Sequence, residues 1–480
     1  MKSIAVFIKS DLFILALGKL IQTVLLFFAV KLYTKYLSDE EVGNLILILS
    51  MTMFIGLALV NPIGSFITRE VNAWINNKIF YRNFLIFNLY VLIVSIFSFF
   101  VPYILNYFGI GKSIPTLYFS IAVSLFVFFN TLNQTIIPAL NLLFYRKAFV
   151  VFTVVSISMY LTLSVSFVVI FEATAFWWLI GQILGLGVGF IGALFYFLKH
   201  VVAWQMSDMF NITTAGLQKI LKFSVPLSIA TFMLWVLTSA YKLIIEGQLG
   251  AATLAYIGLA LALATALSGA VETLLMQVFH SSFYKDISDA KTAEERSKVF
   301  QIFINRTVPL TTGAIFVLIC LSPFLLKLLA DDRFSIIYPY LMLGLILEFL
   351  RVMTNIISHA AHSEYKTQKN ILPYTAGAVI ALFCISYSIK QEQWEYYTLA
   401  SLFSGWLLSL IIMIRQAKFL LKFELPVVQV FKIILHLSPV APLTWYFSDT
   451  SKFTLPSLGI IAVVGSFASV ILYKQHQRVT

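Results

Sequence analysis

Apolar windows of about 20 residues recur along this 480-residue chain from end to end, and nothing constrains its fold more. At a rise of ~1.5 Å per residue, each window matches the ~30 Å of hydrocarbon in a bilayer. Lipid offers no partner to backbone N–H and C=O groups, so such a window must satisfy them internally, as a helix. Outer-membrane barrel strands are shorter and alternate in polarity, which these windows do not. The composition agrees, with 60% hydrophobic and 11% charged residues. The expected fold class is an all-α polytopic membrane protein with 14 transmembrane helices, near 11–34, 42–67, 83–106, 115–140, 149–171, 175–198, 221–245, 252–279, 303–329, 335–360, 371–390, 396–416, 428–448 and 455–473.

The surplus of 33 Lys+Arg over 21 Asp+Glu reads as topology rather than as affinity for nucleic acid. One set of connections holds Lys2, Lys9, Arg69, Lys78, Arg82, Arg146, Lys147, Lys199, Lys219, Lys222, Lys285, Lys291, Arg296, Lys298, Lys366, Lys369, Arg415, Lys418, Lys422, Lys432, Lys474 and Arg478. The alternate set holds Lys35, Lys112, Lys327, Arg333, Lys390 and Lys452, a bias of 22 to 6. This places both termini in the cytoplasm, as an even number of spans requires. The outer connections are then short, and the longest loops, near 199–220 and 280–302, are cytoplasmic. The first apolar run continues through Phe28 and contains Lys19, so an uncleaved span is expected rather than a signal peptide. Cys320 and Cys384 lie inside apolar stretches, which argues against a disulfide framework or a zinc site.

The first two spans recur weakly 212 residues later. Leu15, Val24, Leu25, Leu37, Leu47 and Leu49 fall on Leu227, Val236, Leu237, Leu249, Leu259 and Leu261. In both copies a long helix ends in a very short outer turn, "KYLSDEEVGNLILIL" and "GQLGAATLAYIGLAL", and another long helix follows at once. Six spans separate the copies, so both enter the membrane in the same direction, as halves related by an axis along the membrane normal. "ILALGKLIQTVLLFFAVKLYTKYLSDEEVGNLILILS" and "ILKFSVPLSIATFMLWVLTSAYKLIIEGQLGAATLAYIGLALA" resemble the two half-starts of the polysaccharide transporter family. That family includes the O-antigen repeat-unit flippases (Wzx-type), in a superfamily shared with multidrug extruders and lipid II flippases. The resemblance implies two pseudo-symmetric six-helix lobes, 1–200 and 221–420, a cytoplasmic linker at 201–220, and two additional C-terminal helices within 421–480. It also implies a central cavity open alternately to either side. The substrate it implies is a polyprenyl-pyrophosphate-linked oligosaccharide, carried from the cytoplasmic to the periplasmic leaflet of a bacterial inner membrane.

The deep polar residues are then the candidates for transport, because a charge at a helix centre costs at least ~2.5–3.5 kcal/mol. Lys19 lies ~12 Å along its helix, with Gln22 on the same face at i+3. The pair suits a cationic cavity wall, although a lysine near an interface can also snorkel. In the tenth span Glu348, Arg351, Asn355, His359 and His362 step at three or four residues and share one face. Glu348 and Arg351 can form an intrahelical ion pair, or Glu348 can take a coupling proton while Arg351 attracts a phosphate. Glu272 in the eighth span is a second candidate for ion coupling. Asn130, Asn133, Gln134 and Asn141 in the fourth span suit either sugar hydroxyls or helix-to-helix hydrogen bonds. Arg306, at the cytoplasmic start of the ninth, can guide an anionic headgroup inward or serve only as a topology signal. Trp235, Tyr241 and Tyr256 are candidates for stacking on sugars, Trp177 and Trp178 for an interfacial belt, and Pro62 and Pro138 for bends.

No covalent chemistry is required of such a protein, and a proton or sodium gradient is the expected drive, with no cofactor. Besides the glycan and membrane lipids, polysaccharide polymerase and chain-length proteins are the expected partners. Two rival readings remain. A cation-coupled multidrug antiporter of the same superfamily would bind its cargo with acids, and Glu272 and Glu348 are the only deep ones. A membrane glycan polymerase or glycosyltransferase would need a catalytic surface outside the bilayer. The outer turns are too short for one, and there is neither a carboxylate-pair metal motif nor a P-loop.

Overall fold

The computed structural model describes residues 11–76, 79–200, 214–364, 366–447 and 455–479; of the expected linker, 201–213 lies outside them. The described residues are helical throughout, with short connections and no strands. Thirteen of the helical spans are long and apolar enough to cross a membrane, and a shorter apolar helix, Pro456–Ile471, occupies the position of the fourteenth. The helices are α1 Asp11–Tyr36, α2 Asp39–Ile55, α3 Asn61–Asn76, α4 Phe80–Tyr107, α5 Thr116–Leu142, α6 Arg146–Ile170, α7 Ala175–His200, α8 Thr214–Leu249, α9 Ala251–Asp289, α10 Ala293–Leu329, α11 Tyr338–Ser363, α12 Ile371–Ser388, α13 Trp394–Leu420, α14 Val427–Leu437, α15 Val440–Phe447 and α16 Leu455–Val479. A surface of acyl-chain character is plain on α4, where Leu85, Leu89, Leu92, Ile93, Ile96, Phe97, Phe100 and Ile104 are all exposed.

The repeated short turns are both present. Ser38 caps α2, its hydroxyl accepting the Glu41 N–H at 3.3 Å, and Asp39, Glu40 and Glu41 set negative charge against the helix's positive end. Between α8 and α9 the chain reverses on Gly250 alone, at φ +86°. The connection expected as a loop at 280–302 is instead mostly helix, with α9 running on to Asp289 and α10 starting at Ala293. A capping box is the cause: Thr292 accepts the Glu295 N–H and Glu295 accepts the Thr292 N–H. The expected thirteenth span is broken into α14 and α15 at Ser438-Pro439, where proline cannot continue the backbone ladder. At Pro62 the α2–α3 path passes through a π turn, Gly56–Val60, with the Asn61 N–H reaching back to the Gly56 carbonyl. Pro62 has no N–H to offer Ala58 and crowds its carbonyl, so the ladder widens just before it.

The chain divides into two compact units, Met1–Trp235 with Lys242–Ala255, and Val236–Tyr241 with Tyr256–Thr480. In the first, α1 packs on α6 through Ala29, Ile157, Tyr160 and Leu161. The tightest pairing is α6 with α7, where Gly181, Gly185 and Gly189 lie at i, i+4 and i+8. A Cβ on any of them would strike Ser164, Tyr160 or Ser156, two of them at the backbone. Van der Waals contact at such short range replaces the hydrophobic drive that lipid cannot supply. Ser164 Oγ donates across this seam to the Trp178 carbonyl at 2.7 Å. Trp178 is accordingly buried, edge-on to Tyr33, and does not belong to an interfacial belt.

In the second unit α12 pairs closely with α13, and α10 carries α11 together with the three C-terminal helices. The extended link 421–426 lies along α10: the Glu424 N–H donates to Gln301 Oε1 at 2.7 Å, and Gln301 Nε2 returns a bond to the Glu424 carbonyl at 2.9 Å.

Gly185→Val is expected to force α6 and α7 apart and cost about 1–3 kcal/mol or more by overpacking. A fall in melting temperature and in the monodisperse fraction on size exclusion would show it. Gly269→Ala, where an added Cβ meets nothing within 4 Å, is the control that should fold as the wild type does.

Candidate functional site

Two polar stripes meet inside the second unit. On α11 the spacing of Glu348, Arg351 and Asn355 presents one face, and on α9 Thr265, Ser268 and Glu272 present another at the same helical period. The two helices run in the same direction, and the stripes pair in register. Arg351 Nε donates to Glu348 Oε2 at 2.6 Å, and its Nη2 donates to Glu272 Oε2 at 3.0 Å. Thr265 Oγ1 donates to Glu348 Oε1 at 2.8 Å, and Ser268 Oγ donates to Oε2 at 2.6 Å. Asn355 Nδ2 donates to Glu272 Oε1 at 3.0 Å, and the Tyr374 hydroxyl of α12 donates to Asn355 Oδ1 at 3.1 Å. The three charged side chains are only 10–20% exposed.

The physics of this cluster is set by its formal charge. One guanidinium faces two carboxylates, so the fully ionised triad carries one excess negative charge. Transfer of each ion out of water costs several kcal/mol, which only good geometry and further hydrogen bonds offset. Glu348 has both oxygens engaged by three donors, and Glu272 has both engaged by two. Both deep acids and the deep arginine of the sequence reading therefore sit in one constellation. Asn355 also belongs to it, as a partner of Glu272.

Further along the same face His359 and His362 join His280 of α9. The His280 and His359 rings are 4.8 Å apart between centroids, and Tyr284 Oη lies 3.2 Å from His359 Nδ1. Among the described residues no group of three or more His, Cys, Asp or Glu is arranged to hold a metal ion. Arg306 lies elsewhere in this unit, beside a small pocket lined also by Ser282 and Asp286, and its Nε is buried with no hydrogen-bond partner.

In the first unit a cavity of about 320 Å³ opens beside the π turn of Gly56–Val60. Asn61, Ser65, Asn130, Thr131, Gln134 and Thr135 give it polar walls, and Phe84, Phe87, Pro138 and Leu142 give it apolar ones. Asn130 and Gln134, singled out from sequence, both line it. Asn133 points the other way, its Nδ2 donating to Ser156 Oγ and the Leu186 carbonyl, each at 3.0 Å, so its work is to tie α5 to α6 and α7. Lys19 and Gln22 are half-buried and meet each other, Nζ to Oε1 at 3.4 Å. Neither is on the wall of this cavity. Trp235 and Tyr241 are buried, Trp235 donating Nε1–H to the Ser50 carbonyl at 3.0 Å, so neither ring lies open to a sugar; Tyr256 is half-buried and packs on Phe334.

No protein-family model matches this sequence, and no curated protein matches it. Solved structures do share its fold. A structure described as the lipid II flippase MurJ in an inward closed conformation superposes with a TM-score of 0.63 at 16% identity, over 96% of this chain and 98% of that one. An inward-facing multidrug resistance MATE family transporter of the MOP superfamily gives 0.57 at 13% identity, over 90% and 99%. A MOP superfamily transporter from Pyrococcus furiosus, described as having a binding pocket of reverse polarity, gives 0.54 at 15%, over 90% and 96%. At these identities the likeness is one of fold, and the fold is that of flippases and multidrug transporters.

Arg351→Met is expected to leave two carboxylates facing each other in low dielectric, at a cost of roughly 3–5 kcal/mol. Thermal unfolding of the purified protein would record it. Adding Glu272→Gln to that variant should recover part of the lost stability, because the excess negative charge falls; a double variant less stable than the single one would refute this account of the cluster.

Proposed function

We infer that this chain flips a polyprenyl-pyrophosphate-linked oligosaccharide, an O-antigen or related surface-polysaccharide repeat unit, from the cytoplasmic to the periplasmic leaflet of a bacterial inner membrane. It does so by alternating access, coupled to a proton or sodium gradient. The observation that carries this reading is the state of the deep acids. Glu272 and Glu348 are both bound by Arg351 and by neighbouring hydroxyl or amide groups, so a bulky organic cation would have to displace those partners. The whole-chain likeness to a lipid II flippase supports the same substrate class. A pyrophosphate–sugar headgroup cannot cross hydrocarbon unaided, since each unpaired hydroxyl alone costs ~4–8 kcal/mol against cyclohexane.

The cluster also supplies a route to ion coupling. A proton or sodium ion at Glu272 cancels the excess charge and weakens its hold on the guanidinium. One side of the Arg351 fork is then free for a phosphate, which a planar guanidinium binds well. Ion uptake and anion binding thereby favour one another, and linkage makes the effect reciprocal. The reading assigns no enzymatic step to the chain.

The fold likeness to MATE transporters favours a second reading, a cation-coupled multidrug antiporter. Reconstitution separates the two. In proteoliposomes bearing a labelled polyprenyl-pyrophosphate glycan, an imposed ion gradient should accelerate movement between leaflets. Glu272→Gln should remove that gradient dependence. Gradient-driven efflux of an organic cation, with the glycan left unmoved, would establish the antiporter instead.

A further inference from the structure

The cavity beside the π turn has both polar and apolar walls, and among the described residues no charged side chain lines it. Its amides are also unused. Asn130 and Gln134 face the space, and their side chains make no hydrogen bond to any described residue, whereas Asn133 between them donates both Nδ2 hydrogens to α6 and α7. Asn130 is half-buried and Gln134 exposed, so both amides are open to water or a ligand in this space.

The lining decides what that ligand is. A pyrophosphate calls for Lys or Arg, and an organic cation calls for a carboxylate; the described lining offers neither. An amide presents one acceptor and two donors, and a sugar hydroxyl is donor and acceptor at once, so the two are matched. The apolar wall of Phe84 and Phe87 suits the C–H face of a pyranose ring. The volume of about 320 Å³ lies at the lower end of the ~300–1,000 Å³ usual for small-molecule sites, enough for one or two rings and too little for a charged, branched headgroup. Gly56 and Gly64 keep the space open, because neither has an atom within 4 Å of where a Cβ would stand.

The geometry points to this cavity as a binding site for a neutral pyranose, with Asn130 and Gln134 reading its hydroxyls. The physiological ligand, an uncharged sugar of a lipid-linked glycan, rests on the flippase reading; the preference for neutral over anionic rings rests on the described lining alone.

The test uses the full chain in nanodiscs, titrated with N-acetylglucosamine, glucose, glucuronate and inorganic pyrophosphate, with binding followed by calorimetry or saturation-transfer NMR. The neutral sugars should bind in preference to glucuronate. Asn130→Ala and Gln134→Ala should each weaken them about 2- to 12-fold, the worth of one hydrogen bond. Gly64→Leu fills the cavity from a position where nothing obstructs the new side chain, so it should abolish binding with an unchanged melting temperature. Neutral-sugar binding equal in wild type, Asn130→Ala and Gly64→Leu would overturn the site, as would equal affinity for glucuronate or no sugar binding at all. The outcome is separable from the transport assay. Sugars that bind here and are lost in Gly64→Leu support the site even if no lipid-linked glycan is moved. A glycan flipped at the wild-type rate by both variants refutes the site and leaves the flippase reading intact.

Discussion

A guanidinium buried in a membrane span cannot stand alone, and the second unit is organised around meeting that demand. Arg351 is one turn from Glu348 on its own helix, which fixes half of its partners by sequence alone. The other half must come from a neighbour, and Glu272 supplies it from α9. Once that pair forms, the register of α9 against α11 is set, because a shift by one residue would turn Thr265 and Ser268 away from Glu348. Tyr374 then draws α12 to the same point through Asn355. In lipid, apolar side chains gain little by leaving one neighbour for another, so polar contacts of this kind carry specificity that a soluble core would obtain from hydrophobic burial.

The first unit reaches the same end by a different means. Its α6–α7 seam is built on small residues; glycine at every fourth position of α7 lets two backbones touch. Asn133 faces this seam, and both of its Nδ2 hydrogens are donated across it. Freedom appears where the helical ladder is broken. The π turn ahead of Pro62 widens the α2–α3 path, two glycines with open space at Cβ sit beside it, and the unengaged amides of α5 face the gap. The cavity is thus a consequence of one proline and the glycines around it.

The sequence makes the helices, the short turns and the α11 stripe legible, because hydrophobic length and helical period are local properties. Partner choice is not local. Glu348 and Arg351 were visible as a pair, yet the second carboxylate on Arg351 comes from 79 residues away, and no periodicity in α11 points to it. A signal did exist on the other helix: Thr265, Ser268, Glu272 and His280 repeat the period of the α11 stripe, and two polar stripes of equal period are natural partners. The equivalence of Asn130, Asn133 and Gln134 broke down for a related reason, since adjacent residues on a helix diverge by about 100° and only the packing says which direction is wall and which is cavity. The i, i+4, i+8 glycines of α7 were in plain view as a small-residue repeat and needed only to be read as a packing face. The long helical ends around Thr292 were hidden because their polar composition resembles a loop, and only the capping box betrays them.

Two polar places of opposite character therefore lie in two separately packed units, and their difference bears on how binding energy can be used. Transport requires that affinity for cargo change between states, and a ligand with equal affinity for both moves nothing. A cavity whose described lining is uncharged would be nearly indifferent to a proton elsewhere, so any contribution it makes to affinity would be constant across an ion cycle. A cluster with one acid too many is the reverse, because a single cation changes its charge and releases its arginine. On this reading the neutral lining selects the cargo and the charged cluster changes the strength of the grip, so selectivity and drive can vary independently. Substitutions among the amides of α5 would then redirect which sugar is carried, while substitutions at Glu272 would alter what drives it.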